Sequence, residues 1–266
     1  MICSIFSRHS YLKKAIKFIL LKDPYNFFLK DNSSNFKKSK NFTKSHTSIV
    51  LKDNSSIEIK DNVDLQNVSI ICSGNCKLII NENTKINNVS IKLQNSSKLI
   101  FSNDNLIGSL EKESMFINLH NGTVSIGEKS KLFLRTLQVR FGGEISVGKY
   151  AGIGDHTDIR CDEKIIIGDF LLCSYNVSIY DTNIHSTNPE SRKQEIINQF
   201  PRGLSDSTKP KTSAIILGDN IWLGKNSAIL KGSELASNSI VGMNTTISNI
   251  KEDVSKTFIS IKPKLF

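Results

Sequence analysis

Apolar residues recur along this chain at a spacing that suits neither an amphipathic helix nor a simple alternating strand. Leu217, Leu223, Ile229, Leu235, Val241 and Ile247 follow one another every six residues without a break. Gly218, Gly224 and Gly242 come directly after three of them, and Ser227, Ser233, Ser239 and Thr245 stand two positions before the next aliphatic residue. Upstream, Val147, Ile153 and Ile159 keep the same step, and after a slip Ile167, Cys173 and Ile179 resume it. A helix would place apolar residues at steps of three and four. A step of six describes short flat strands joined by turns, each strand sending one side chain inward onto its equivalent one coil away. Turn positions beside the strands call for positive φ or a small side chain, which Gly and Asn supply. Three such strands close a triangular coil of about 18 residues.

The first half carries a longer period. Ile57/Ile59, Leu78/Ile80 and Leu99/Phe101 are 21 residues apart, as are Val124/Ile126 and Ile145/Val147, with Ile165/Ile167 following after 20. Coils of 18 plus a few extra turn residues give this spacing. A right-handed β-helix also suits a period near 21, but the strict sixes after residue 146 favour the left-handed triangular type. The fold expected is therefore all-β, a left-handed parallel β-helix over residues 48–250, with a tail at 251–266.

Two stretches leave the pattern. Residues 10–22 read as an amphipathic helix, with Leu12, Ala15, Ile16 and Ile19 on one face and Lys13, Lys14 and Lys17 on the other. Ser10 is placed to cap it and Pro24 to stop it. Its two readings are a cap on the open end of the solenoid and a helix lying on an anionic membrane surface. The Asn/Ser/Lys-rich residues 31–47 read as linker, so 1–47 forms an N-terminal arm. The second break spans 181–212, holds three of the five prolines and separates two regular blocks. A long loop thrown out of a rigid solenoid is usually functional.

Charge and cysteine content narrow the classes. Of a net charge of +10, residues 1–48 supply ten Lys/Arg against two Asp/Glu, and the remainder 25 against 23. The basic character sits in the arm, so the body carries no basic stripe of the kind nucleic acid selects. The five cysteines are odd in number and irregularly spaced, with no C-x-x-C, which argues against a disulfide framework and against zinc and places the chain in a reducing compartment, the cytoplasm. No stretch reaches the roughly 18 apolar residues of a membrane span.

The repeats, followed by V-S-I-Y-D-T-N-I-H-S, a loop, and I-I-L-G-D-N-I-W-L-G-K-N-S-A-I-L-K-G, resemble the hexapeptide-repeat acyltransferases. Within these, the D-x-x-x-H and W-L-G combination is similar to the sugar O-acetyltransferases of the galactoside, maltose and surface-polysaccharide type. The resemblance covers about residues 120–264; the earlier coils match only as additional repeats. It implies an acetyl-CoA-dependent enzyme, a homotrimer with active sites between subunits, a carbohydrate acceptor such as a surface glycan, and no metal. The basic helix leaves room for peripheral contact with the inner face of a membrane.

On this resemblance His185 is the general base that takes the proton of the acceptor hydroxyl, a task suited to a group titrating near neutrality. Asp181 has three readings: orienting the imidazole, binding the acceptor, or a structural role in the loop. Tyr180 and Asn183, on either side of it, are candidate acceptor contacts. Trp222, the sole tryptophan, would line the inter-subunit cleft, with backbone amides near Gly224 and Ser227 meeting pantetheine and the thioester oxyanion. Lys262 and Lys264 sit where the family keeps a segment near the nucleotide; Ser260 and Lys262 depart from its usual residues, and the alternative is a solvated basic tail. His156 sits in an outward turn, either solvated or facing a neighbouring subunit, and nothing assigns a role to His120. A γ-type carbonic anhydrase on the same fold would need three convergent His ligands; the loop offers one. Two other functions remain open at this point: N-acetylation of an amino sugar nucleotide, and a non-catalytic glycan-binding β-helix.

Overall fold

A computed structural model describes residues 26–109, 114–198 and 209–259. Stacked three-strand coils, about ten of them, form one parallel β-solenoid. Two sides of the triangle are built from an 18-stranded sheet and the third from a nine-stranded sheet. In the C-terminal coils the first side holds strands such as Gly152–Ile153, Leu172–Cys173 and Trp222–Leu223. The second holds Asp158–Cys161, Ser178–Tyr180 and Ala228–Leu230, and the third Lys164–Ile167, Ile215–Leu217 and Glu234–Leu235.

The aliphatic positions picked out by the six-residue step all point into the solenoid: Leu217, Leu223, Ile229, Leu235, Val241 and Ile247 are buried, and so are Val147, Ile153, Ile159, Ile167, Cys173 and Ile179. Each fully buried Leu or Ile contributes about 1.5–3 kcal/mol of transfer free energy. The turns are held by amide ladders. Asn176, Asn226 and Asn244 all adopt positive φ, and their side-chain amides bond in series at 2.9 Å. Asn suits the place because it tolerates this backbone and its amide both donates and accepts. At the corner between the third and first sides the coils approach too closely for any side chain: a Cβ on Gly148 would lie 2.5 Å from the carbonyl carbon of Gly168.

The coils extend past both ends read from the apolar spacing. Phe27–Lys30, Asn35–Lys38 and Thr43–Ser45 form a first coil, pairing in parallel with Ser48–Lys52, Ser56–Ile59 and Asp64–Ser73. The segment read as linker is thus largely strand. Its aliphatic signal is missing because the side chains packed against the core here are Phe36 and Phe42, half-buried among Lys, Ser and Asn. At the other end Thr257–Phe258 pairs with Ile240–Val241, inside the stretch read as tail. The helix expected at 10–22 lies outside the described residues. No helix among the described residues is long and apolar enough to cross a membrane.

Candidate active site

The stacking register shows where the chain leaves the solenoid. Coil-to-coil partners that are 20 residues apart upstream become 50 apart across the 181–212 break, then settle at 18. The loop departs at the corner between the second and third sides. Its stems meet in an antiparallel bridge, Thr182 with Thr212, reinforced by Asn183 N–H donating to the Lys211 carbonyl at 3.1 Å and Ser213 N–H to the Asp181 carbonyl at 3.0 Å.

Just beyond the bridge the backbone is strained. Ile184 has φ of 70°, a left-handed conformation that a β-branched residue rarely adopts. The His185 N–H closes the turn onto the Asn183 carbonyl at 2.8 Å, and the Ile184 N–H is held by the Thr182 hydroxyl at 3.2 Å. Strain of this kind costs on the order of 1–3 kcal/mol and gathers at functional sites. It sends the His185 side chain outward, where it is 51% exposed.

A short helix, α1 (Pro189–Asn198), backs the histidine. Its start follows local chemistry: the Asn188 side-chain oxygen accepts the Ser191 N–H at 3.0 Å, Pro189 occupies the first turn where its missing N–H costs nothing, and Glu190 faces the positive end of the dipole. Arg192 donates back to the Ser186 carbonyl at 3.0 Å, tying helix to loop. One turn on, Glu195 Oε2 lies 3.4 Å from His185 Nδ1. The pair falls short of a hydrogen bond, and Glu195 Oε2 bonds no other group among the described residues; a carboxylate so placed favours a proton on Nδ1 and leaves Nε2 to accept another. Sequence reasoning missed Glu195, because the contact is made across a loop whose path no spacing reveals.

Asp181 does not perform that task. It is fully buried, and its carboxylate accepts the N–H groups of Asp162, Glu163 and Lys164 at 2.8, 2.9 and 2.8 Å and the Cys161 thiol at 3.1 Å. Burial raises its carboxyl above the usual range, while the bonds from Asp162, Cys161, Glu163 and Lys164 pull it back. Beside it Arg140 grips Asp162 through two bonds of 2.9 and 2.6 Å, both side chains buried. Of its three sequence readings, the geometry matches the structural one: the carboxylate ties the start of the loop to the 161–164 corner one coil away.

Tyr180 ends the last strand before the loop and faces outward, half-buried, stacked between Arg160 and Leu230. Burial first, then the nearby Asp158 carboxylate, raises its hydroxyl, against the pull of Arg135 and Arg160. Asn183 is partly exposed within the loop neck. Trp222 is 50% exposed on the first side, in an outward column with Leu172 and Ile240. The loop leaves from the corner between the other two sides, so one chain does not bring His185 and Trp222 together. The amides of Gly224 and Ser227 are already engaged, with the Val241 carbonyl at 2.8 Å and the Gly224 carbonyl at 3.2 Å, and the Ser227 side chain is buried. The two amides named for pantetheine are thereby occupied within the solenoid. Lys262 and Lys264 lie outside the described residues. His156, exposed at an outward corner, lines an open depression with Arg135, Tyr175 and Lys225.

Comparison with known proteins bears on what such a loop does. No family profile matches the chain. A protein of Escherichia coli (strain K12) assigned to lipopolysaccharide biosynthesis as an O-acetyl transferase, WbbJ, is 26% identical over 129 residues, covering 48% of this chain and 63% of that protein. The galactoside O-acetyltransferase of the same strain is 26% identical over 108 residues, covering 41% of this chain and 46% of that one. The chain is similar in sequence to O-acetyltransferases. It spans less than two thirds of the length of either relative. The crystal structure of a polySia-specific acetyltransferase, NeuO, shares 16% identity over 88% of this chain and 79% of that one, with a TM-score of 0.43; a likeness this remote says nothing about the site.

Proposed function

We propose that this chain is an acetyl-CoA-dependent O-acetyltransferase acting on a sugar hydroxyl of a surface glycan, with His185 as general base. The observation that carries the reading is the strained neck at Ile184, which holds an exposed imidazole outside an otherwise regular solenoid with Glu195 against its Nδ1. The names of the sequence relatives support the reaction class.

In this mechanism His185 Nε2 takes the proton of the acceptor hydroxyl as its oxygen attacks the thioester carbonyl. The new C–O bond forms, the C–S bond breaks, and the imidazolium returns its proton to the departing coenzyme A thiolate. Glu195 steadies the imidazolium while it carries that charge. The acetyl-CoA arm fits the apolar outward column of Leu172, Trp222 and Ile240, with Lys225 at the next corner to meet phosphate oxygens. Because that column and the loop occupy different parts of one coil, a complete site needs two copies, and a closed homotrimer supplies three equivalent sites by rotation. An enzyme fed by acetyl-CoA and carrying buried thiols belongs in the cytoplasm.

The test is a screen of hydroxyl and amine acceptors with acetyl-CoA and mass analysis of the products. The reading predicts one acetyl group added to a sugar oxygen. Acetylation of amines alone, or no binding of acetyl-CoA, would overturn it.

A further inference from the structure

The second side of the solenoid carries an outward row that runs directly to the loop. Register stacks Lys92 on Asn118, Asn118 on Gln138, Gln138 on Arg160 and Arg160 on Tyr180. At the spacing of neighbouring strands, these steps make a row about 19 Å long. At the end distant from the loop the surface opens into a cleft of about 560 Å³, lined by Lys92, Gln94, Asn118, His120, Gln138 and Arg140 among others.

The chemistry of this track is selective. Amides at Gln94, Asn118 and Gln138 can donate and accept at once, which suits sugar hydroxyls. Among the described residues, Asp158 is the one carboxylate on the strands of this side, and Arg135 holds it through both oxygens. The corner carboxylate beneath the cleft, Asp162, is held in the same way by Arg140. Lys92 is exposed and makes no ion pair among the described residues, and His120 bonds only the neutral Asn95 side chain, at 2.7 Å. The third side differs: Glu58, Glu144 and Glu234 face outward there among its lysines.

We infer that this row and cleft bind an acidic glycan chain, laid along the solenoid so that its distal sugars meet Lys92 and His120 while one hydroxyl reaches His185. The inference rests on the proposed function and narrows its acceptor to a carboxylate-bearing oligosaccharide several sugars long. A single sugar would use only the Tyr180 end. Before Tyr180 the row itself carries no aromatic side chain, although Phe141 lines the cleft; single-stranded nucleic acid, which stacks on successive aromatic rings, is therefore the competing ligand in the test.

The experiment is calorimetric titration of the full chain with oligogalacturonate and oligosialate series from dimer to decamer, with neutral maltooligosaccharides of equal length alongside. Affinity for at least one acidic series is expected to rise with length until the row is filled and then level off, with the neutral series weaker. Lys92→Glu is expected to weaken the long acidic oligomers about tenfold, the loss of one charge-assisted contact, while leaving dimers and acetyl-CoA binding unchanged. Lys92→Gln should fall between, which guards against a folding defect. Affinity independent of length in both acidic series, equal weakening of long and short oligomers, or poly(U) binding as tightly as the acidic glycans would overturn the inference. Transfer assays separate the two readings. Length-dependent binding without acetyl transfer to any acceptor leaves the track and removes the activity; transfer that ignores chain length and Lys92 does the reverse.

Discussion

Replacing Asp181 with alanine distinguishes a structural carboxylate from a catalytic one. The carboxylate is fully buried and receives three backbone N–H groups and a thiol, all from the 161–164 corner one coil away. Its removal strands three backbone donors, that of Asp162 buried and those of Glu163 and Lys164 part-buried. Each costs about 1–3 kcal/mol when left unpaired. Water entering at the exposed Glu163 and Lys164 positions recovers part of this, so the expected loss is about 3–5 kcal/mol, centred on one corner. Asp181→Asn keeps one accepting oxygen but turns an NH2 toward donors, and about half that loss is expected. Stacked repeats open locally, so a single unfolding free energy is a poor readout. The assay is amide hydrogen exchange at Asp162, Glu163 and Lys164 alongside a thermal melt. The alanine variant should lose protection at those three amides and melt earlier, with any fall in turnover following the loss of folded protein. Wild-type protection and melting combined with abolished turnover would refute the structural assignment.

Glu195→Gln should lower turnover about tenfold or more, since an orienting carboxylate is worth up to 10⁴ where it fixes the tautomer. Turnover unchanged in this variant would remove Glu195 from the mechanism. Burial pushes the thiols of Cys72 and Cys173 up to about 12 and also raises those of Cys76 and Cys161. In a Cys3→Ser variant a thiol reagent at pH 8 should therefore react only on unfolding, and rapid labelling of the native protein would contradict this burial. In the first coil, bonds from Ser34 and Asp53 hold the Asp31 carboxyl down to about 2, from 3.8. A depressed carboxyl contributes stability above its unfolded value and loses it as pH falls; the Asp53 amide should stay protected at pH 4 and lose protection toward pH 2, which exchange measurements would reveal.

The sequence carried the solenoid because its inward positions obey one rule: from Leu217 to Ile247 every sixth residue must be aliphatic to stack on its neighbours. The first coil escaped notice because Phe36 and Phe42, not a run of spaced aliphatic residues, pack it against the core. The loop was legible as an interruption, and His185 as the imidazole it carries. Roles inside the loop were not, since they depend on partners distant in sequence. Asp181 is read correctly only once the amides of 162–164 are seen around it, and Glu195 only once α1 is folded back toward the neck. The outward track from Lys92 to Tyr180 was hidden for a related reason: it alternates with the core and emerges only when the coils are set in register.

The central claim is that the solenoid holds one imidazole out of its repeat to move a proton. It is tested most directly by measuring turnover of His185→Ala under saturating acetyl-CoA and acceptor, with circular dichroism and acetyl-CoA affinity measured on the same preparation. The account predicts a fall of about 10²–10⁴-fold, the usual contribution of a general base, with fold and acetyl-CoA affinity unchanged. Turnover within a few-fold of the wild type would contradict it.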